Sequence, residues 1–284
     1  MQTLLSYITW DVSPEIVSIG PLTLRWYGLL FASGFLIGFY IVQRMFQKEG
    51  APEEWLEKVF MYMVLGTVVG ARLGHVFFYE WDYYSQHLSE IPKVWRGGLA
   101  SHGGAIGIIL ALWIFSKTVS KRSLLWILDK VVVPTALAGC FIRLGNLMNS
   151  EIYGLPTEVA WGFKFVNTDE EALVRHPVQL YEAISYLISF FILFYAYWKT
   201  DLKNRLGFTF GLFLVLIFGA RFFLEPFKSS QGGFENTLGL FTTGQWLSIP
   251  FVIAGAYFMW RAKEVKMPPF PGKKEKAVAP KKKK

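Results

Sequence analysis

The sequence predicts an all-α polytopic membrane protein with about seven transmembrane helices, its N-terminus outside and its C-terminus in the cytoplasm. Three observations carry that expectation. Of 284 residues, 53% are hydrophobic, 18% aromatic and only 18% charged, which is more apolar than a soluble domain and rich in the side chains that line membrane interfaces. Seven stretches approach the roughly 20 mostly apolar residues that a spanning helix needs. Lys and Arg are divided unequally between the two sets of connections, which sets the orientation of such a chain.

The expected spans are Leu22–Phe46, Trp55–Tyr79, Gly97–Val119, Leu124–Met148, Val178–Trp198, Leu206–Glu225 and Gly244–Trp260. One set of connections holds Arg44, Lys48, Lys58, Lys117, Lys121, Arg122, Lys199, Lys203, Arg205 and the ten basic residues after Trp260, nineteen in all. The other holds five: Lys93, Arg96, Lys164, Arg175 and Lys228. The basic set belongs in the cytoplasm, which places the N-terminus outside and fits an odd number of spans. Residues 1–261 then form the membrane domain, and 262–284 form a basic, disordered cytoplasmic tail rich in Pro and Lys. That tail fits the anionic surface of the inner leaflet, at roughly 1 kcal/mol per nearby basic residue. A role in fixing topology or solubility fits it equally well.

The same composition excludes several classes. The net charge of +8 is concentrated in the tail, so it does not indicate nucleic acid. A single cysteine, Cys140, permits no internal disulfide or thiolate cage, and four scattered His make no metal-spaced pair, so no metal and no cofactor are expected. No phosphate-binding loop, dinucleotide fingerprint, nucleophile elbow or repeat is present. No basic region precedes the first apolar stretch, so no cleavable signal peptide is expected.

Ionisable residues within spans are costly, about 2.5–3.5 kcal/mol at the bilayer centre, and are functional candidates by default. Following each span in its direction of travel puts Arg25 and Tyr27, Arg72 and His75, His102, Arg143 and Asn146, Gln179–Glu182, Arg221 and Glu225, and Gln245 all toward the outer face. Arg143 and Asn146 are three apart and Arg221 and Glu225 four apart, so each pair shares a helix face. Gly103 and Gly107 beside His102 form a small-xxx-small pair that admits a close neighbour. Each feature has a plain structural alternative. Arg221–Glu225 reads also as a structural pair, Arg25 and Arg72 as snorkelling side chains, His102 as a core histidine, the glycines as helix packing and Tyr27 as part of the aromatic belt. Their convergence at one depth suits an anionic lipid headgroup.

Several stretches carry a family resemblance. Arg25-Trp26-Tyr27-Gly28-Leu29, Gly97-Gly98-Leu99-Ala100-Ser101-His102-Gly103-Gly104, Arg143-Leu144-Gly145-Asn146 through Glu151 and Gly154, His176-Pro177-Val178-Gln179-Leu180-Tyr181-Glu182, Arg221 to Glu225, and Gly244-Gln245 occur in order across residues 14–261. Together they resemble the bacterial phosphatidylglycerol–prolipoprotein diacylglyceryl transferases. The chain departs from the usual Arg-x-Gly-Asn-Phe-x-Asn-Gly-Glu signature at Leu147-Met148 and at Ser150. Lys228 stands where an Arg often follows the sixth-helix Glu, and no headgroup role is assigned to it.

The resemblance implies an inner-membrane enzyme that moves the diacylglyceryl group of phosphatidylglycerol onto the lipobox cysteine of a preprolipoprotein. A thioether forms and glycerol phosphate leaves, in the first step of lipoprotein maturation. It implies His102, Arg143 and Arg221 as catalytic residues, and Tyr27, Gly103, Gly104, Asn146, Glu151, Gly154, Glu182 and Glu225 as substrate-binding residues. Arg143 and Arg221 suit a phosphodiester because guanidinium pairs bidentately with phosphate oxygens and always keeps its charge. His102 is either the base that takes the thiol proton or a group that orients the headgroup. The partners implied are phosphatidylglycerol, the lipobox peptide and the bilayer. Rival readings are an anionic-solute transporter, which would show repeats and a midplane site, a hydrolase using Ser101 or Ser150, and a lipid-binding assembly protein.

Overall fold

The computed structural model describes residues 7–20, 22–168, 173–229, 240–265 and Phe270. Most of the tail expected at 262–284 therefore lies outside the described residues. The helices at the expected spans are α1 (Trp26–Glu49), α2 (Glu54–Phe78), α3 (Ser101–Phe115), α4 (Leu124–Met148), α5 (Val178–Lys199), α6 (Phe208–Leu224) and α7 (Thr243–Arg261). A π-helical turn, Ser116–Ser120, extends α3. Six of the seven are long and apolar enough to cross a membrane. The exception is α7, whose 19 residues include Gln245, Ser248 and Pro250.

The chain divides into two compact units, Met1–Ile41 with Leu128–Glu264, and Val42–Ile127 with Val265–Lys284. The first unit adds two small sheets to the helices. In one, β1 (Ile8–Trp10) runs parallel to β4 (Phe163–Phe165), which pairs antiparallel with β5 (Val174–Arg175). In the other, β2 (Glu15–Ile19) and β3 (Leu22–Arg25) form a hairpin. The first span therefore begins at Trp26, not Leu22. Arg25 is a strand residue, its side chain exposed and 3.2 Å from Glu15, so it does not belong with the intramembrane polar groups.

Local chemistry explains the helix arrangement in this unit. Gly34 faces Ala138 and Phe141, and Gly38 faces Pro134, so small residues let α1 lie close against α4. Gly211 and Gly255 do the same for α6 and α7. Asp129, buried on α4, accepts from Gly207 N at 2.6 Å and Phe210 N at 2.8 Å, satisfying donors at the start of α6 that would otherwise be orphaned. Thr242 and Gln245 form a reciprocal capping box at the start of α7. Gln245 also donates to Phe222 O at 3.2 Å, which ties α7 to the end of α6.

The second unit is organised by α2 and α3. Gly66, Gly70 and Gly74 recur every four residues on α2, facing Gly103, Gly107 and Ala111 at the same spacing on α3. A Cβ at Gly70 or Gly103 would run into the opposite backbone. The two helices thus pack backbone to backbone, which only this residue pattern allows. The connection from Tyr79 to Ala100 returns through a helical turn (Trp81–Tyr84) and two 3-10 turns to Gly97 and Gly98. Both glycines have φ between +69° and +83°, a conformation that a side chain would strain. The third helix therefore starts at Ser101, four residues after the expected start at Gly97.

Candidate active site

Within the first unit, one end of the helices gathers a row of charged side chains. Arg143, on the last two turns of α4, places Nε 2.9 Å from Glu182 Oε2 on the first turns of α5. It also donates to Asn146 Oδ1 at 3.4 Å and is hydrogen-bonded to the Tyr186 hydroxyl. Glu182 is only 1% exposed and meets a second cation, Lys228 Nζ, at 3.1 Å from Oε1. The same ammonium stands 3.8 Å from Glu225 Oε2, and Glu225 stands 3.9 Å from Arg221 Nε on α6. Among the described residues, Arg221 Nε and Glu225 Oε2 are buried atoms without a hydrogen bond. A buried pair at that separation is incompletely satisfied, and such groups call for an explanation in a native structure.

Asn146 extends the site toward the loop after α4. Its Nδ2 donates to Glu151 Oε1 at 2.7 Å, and Asn149 Nδ2 reaches the same oxygen at 3.3 Å. Glu151 is held in place by its backbone: its carbonyl accepts from Gln179 Nε2 at 2.7 Å, and its N–H donates to Asn146 O at 3.0 Å. The residues on either side, Ser150 (φ 52°) and Ile152 (φ 58°), both lie in the left-handed region. That region is unfavourable for non-glycine residues and most so for a β-branched one. Such outliers persist where the surroundings over-determine them, and they cluster at functional sites.

Tyr27, on the first turn of α1, lies within electrostatic reach of Glu151 and Arg143. A Cβ at Gly145 would strike its ring, so the glycine of the Arg-Leu-Gly-Asn stretch is what lets Tyr27 lie against α4. Gly154 does a comparable thing for the backbone. A Cβ there would collide with Phe227 O, Val178 and His176. Its absence lets the chain after α6 pass beside Gly154, where Leu155 N donates to Phe227 O at 2.8 Å and Ser229 Oγ to Gly154 O at 3.1 Å. Gly244 lies against the Glu225 carboxylate, where a side chain would displace it.

The unit therefore brings together Tyr27, Arg143, Asn146, Glu151, Gly154, Glu182, Arg221 and Glu225. It adds Lys228, to which the sequence assigned no role at the headgroup. The signal for Lys228 was its spacing three residues after Glu225; its other partner, Glu182, is 46 residues away and left no trace in local pattern.

His102, Gly103 and Gly104 belong to the second unit. His102 is an exposed residue on the first turn of α3, its ring centroid 5.7 Å from that of Phe78 and 5.6 Å from that of Tyr79. Gly103 packs against Gly70 and Gly74, and Gly104 is in ordinary contact with Ala71 and Thr67. Arg72, expected among the outer polar groups, is 3% exposed and donates to four carbonyls: Ile91 O and Glu90 O at 2.8 Å, Gly97 O at 2.7 Å and Gly98 O at 3.2 Å. Tyr84 covers its guanidinium at 4.9 Å. Among the described residues, no three His, Cys, Asp or Glu side chains are grouped to hold a metal ion.

Comparison with known proteins agrees with the motifs. The chain is 50% identical over 257 residues to the phosphatidylglycerol–prolipoprotein diacylglyceryl transferase of Chloroherpeton thalassium, covering 90% of this chain and 95% of that one. It is 50% identical over 250 residues to the enzyme of the same name from Tolumonas auensis (88% and 95% covered) and 45% identical over 273 residues to that from Porphyromonas gingivalis (92% and 96% covered). Residues 14–261 match the model for prolipoprotein diacylglyceryl transferases. With that match running from β2 to the end of α7, through every charged residue of the row, the chain belongs to the prolipoprotein diacylglyceryl transferase family.

Proposed function

We propose that this chain transfers the diacylglyceryl group of phosphatidylglycerol to the lipobox cysteine of preprolipoproteins. The thiol sulfur attacks the glycerol carbon of the lipid, the C–O bond to phosphate breaks, a thioether forms, and glycerol phosphate leaves with the bonding electron pair. The names of relatives that align over nine tenths of the chain support this reaction. The observation that carries the site assignment is Arg221. Its Nε is buried, lacks a hydrogen bond among the described residues, and stands 3.9 Å from its nearest carboxylate. A guanidinium held in that state is ready for an anion, and a phosphodiester oxygen completes its coordination. Arg143, also charged and fixed by Glu182, is the second phosphate partner. Both stabilise the charge that grows on the leaving phosphate as the C–O bond lengthens. Tyr27 and Asn146 donate to headgroup oxygens, and Glu151, Glu182 and Glu225 orient the donors.

The thiol must lose its proton, and at an ordinary pKa of about 8.5 it is only a few per cent ionised near neutrality. The candidate for that proton is His102, whose alternative role is to orient the headgroup. Its imidazole is exposed and free of hydrogen bonds among the described residues, so a ring nitrogen is available as acceptor. In the inner membrane, α7 forms the seventh span, the N-terminus faces outside and the basic C-terminus faces the cytoplasm. This topology follows the division of Lys and Arg between connections. It opens the charged row to the outer side, where an exported cysteine arrives, with residues 1–261 as the membrane domain and 262–284 as a basic tail.

Purified protein incubated with labelled phosphatidylglycerol and a lipobox peptide is expected to yield thioether product and released glycerol phosphate. Binding without turnover would overturn the assignment in favour of a lipid-binding protein. His102→Gln is expected to lower kcat by about 10²–10⁴-fold and to remove the acidic limb of the pH–rate profile. An unchanged profile with activity retained would reduce His102 to an orienting group.

A further inference from the structure

Lys228 is the element of the charged row that neither the motifs nor the reaction explains. Its side chain is only 10% exposed, and its ammonium faces two carboxylates at once, Glu182 at 3.1 Å and Glu225 at 3.8 Å. Glu182 meets Arg143 through its other oxygen, Oε2, whereas Glu225 turns one oxygen, Oε2, to both Lys228 and Arg221. The result is an alternating row, Arg143–Glu182–Lys228–Glu225–Arg221, that runs from α4 across α5 to the end of α6. Building on the proposed role of the two arginines, we propose that Lys228 is a positioning residue that keeps the donors of Arg221 open to phosphate by holding Glu225 away from it.

The electrostatics follow from the distances. Among the described residues Glu225 is the carboxylate nearest Arg221, yet the two stand 3.9 Å apart, beyond hydrogen-bonding range, and neither facing atom has a hydrogen bond. The Lys228 ammonium, 3.8 Å from that same Oε2, supplies the competing attraction. Without it, Glu225 and the nearly buried Glu182 each have one cation left, and Glu225 gains by closing onto Arg221. That closure occupies the guanidinium donors meant for phosphate. A lysine suits the bridge because its compact ammonium presents three donors in different directions.

The backbone fixes Lys228 in this place independently of its charge. Its N–H donates to Glu225 O at 3.0 Å, and it pairs across to Gly154. Ser229 Oγ then donates to Tyr153 O at 3.2 Å and Gly154 O at 3.1 Å. Gly154, a residue without a side chain to touch substrate, thereby acts on the site through Lys228: any Cβ there would push the Phe227–Lys228 backbone away.

The test uses full-length enzyme and kinetics with phosphatidylglycerol vesicles. Lys228→Met is expected to raise KM for the lipid and to cut kcat/KM by about 10²-fold, while Lys228→Arg recovers most of that loss. Glu225→Gln with Lys228→Met removes one charge of each sign and frees Arg221 again. It is expected to exceed Lys228→Met by about tenfold in kcat/KM. A merely structural lysine predicts the opposite, a double variant less active and less well inserted than either single one. The double variant also covers failure of Lys228→Met to insert, since insertion with measurable turnover then counts as the gain. Wild-type-like kcat/KM in Lys228→Met, or no gain in the inserted double variant, overturns the proposal. Arg221→Ala, run alongside, separates the two levels: activity there would sink the assignment of the arginines themselves.

Discussion

Arg72 and Arg221 occupy comparable places, each near the end of an apolar helix, and each is costly to keep there. Their surroundings differ completely. The guanidinium of Arg72 is spent on four carbonyls and covered by Tyr84, so it gathers the Tyr79–Ala100 connection around itself. Arg221 has a buried nitrogen without a hydrogen bond among the described residues and a carboxylate held just out of reach. Hydropathy prices the two alike. What separates structure from chemistry is whether the donors are already satisfied: a saturated guanidinium builds the fold, and an under-committed one is available to a ligand.

The sharpest way to break that comparison is to remove each arginine. Arg221→Ala is expected to lower lipid transfer by about 10³-fold, the scale for losing a donor to developing charge, with the melting temperature in detergent little changed. Arg72→Ala is expected to do the reverse. Losing four hydrogen bonds to carbonyls destabilises the second unit by about 3 kcal/mol or more. It also opens the Tyr79–Ala100 connection to protease, while activity per inserted molecule falls far less. If both variants lost activity equally at equal stability, hydrogen-bond saturation would not distinguish the roles.

How much of this was legible beforehand follows from the range of the interactions. Apolar runs marked the six helices long and apolar enough to cross a membrane, and α4 has the bounds expected of it, because hydropathy over about 20 residues is a local property. The ends of the first and third spans were misplaced for local reasons too. Leu22–Arg25 is apolar enough to pass as helix but pairs with β2, and Gly97-Gly98 adopt positive φ that helix propensity does not reveal. Direction of travel placed Arg143, Arg221 and Glu225 at one end of their helices. It placed Arg72 at such an end too, because depth carries no information about partners. The bridge from Glu182 to Lys228 joins residues 46 apart and exists only after α5 and α6 pack.

A milder effect sharpens the contrast from the active-site side. Ser150 replaces the glycine usual before the signature glutamate, yet keeps the backbone conformation that glycine would take freely, φ 52°. Its hydroxyl is buried and without a partner among the described residues. Ser150→Gly removes both penalties and is expected to stabilise the first unit by about 1 kcal/mol in a reversible unfolding measurement. Lipid transfer should stay close to wild type, since Glu151 keeps its backbone bonds to Asn146 and Gln179. A fall in stability would mean that the tertiary setting, not the residue, imposes that φ.

The smallest effect belongs to the connection that Arg72 holds. Glu90 supplies a carbonyl to Arg72, and its carboxylate pairs with Lys93 and Arg96. The hydrogen bond from Lys93, followed by the charge of Arg96, pulls the Glu90 carboxyl below its usual value of 4.5. A depressed folded-state pKa contributes stability that is present above the unfolded value, near 4.5, and is lost as pH falls through the lower folded value. Amide protection across Leu88–Arg96, taken relative to the intrinsic exchange rate at each pH, is therefore expected to hold steady down to about pH 5 and to fall below the ordinary carboxylate range. Glu90→Gln should abolish that acid-dependent step while leaving Arg72 bound to the backbone, because the carbonyl it uses is untouched. Solvent-exposed pairs contribute little, so the whole connection should loosen only slightly. Wholesale release of the segment at low pH would show that the carboxylate, rather than Arg72, holds it.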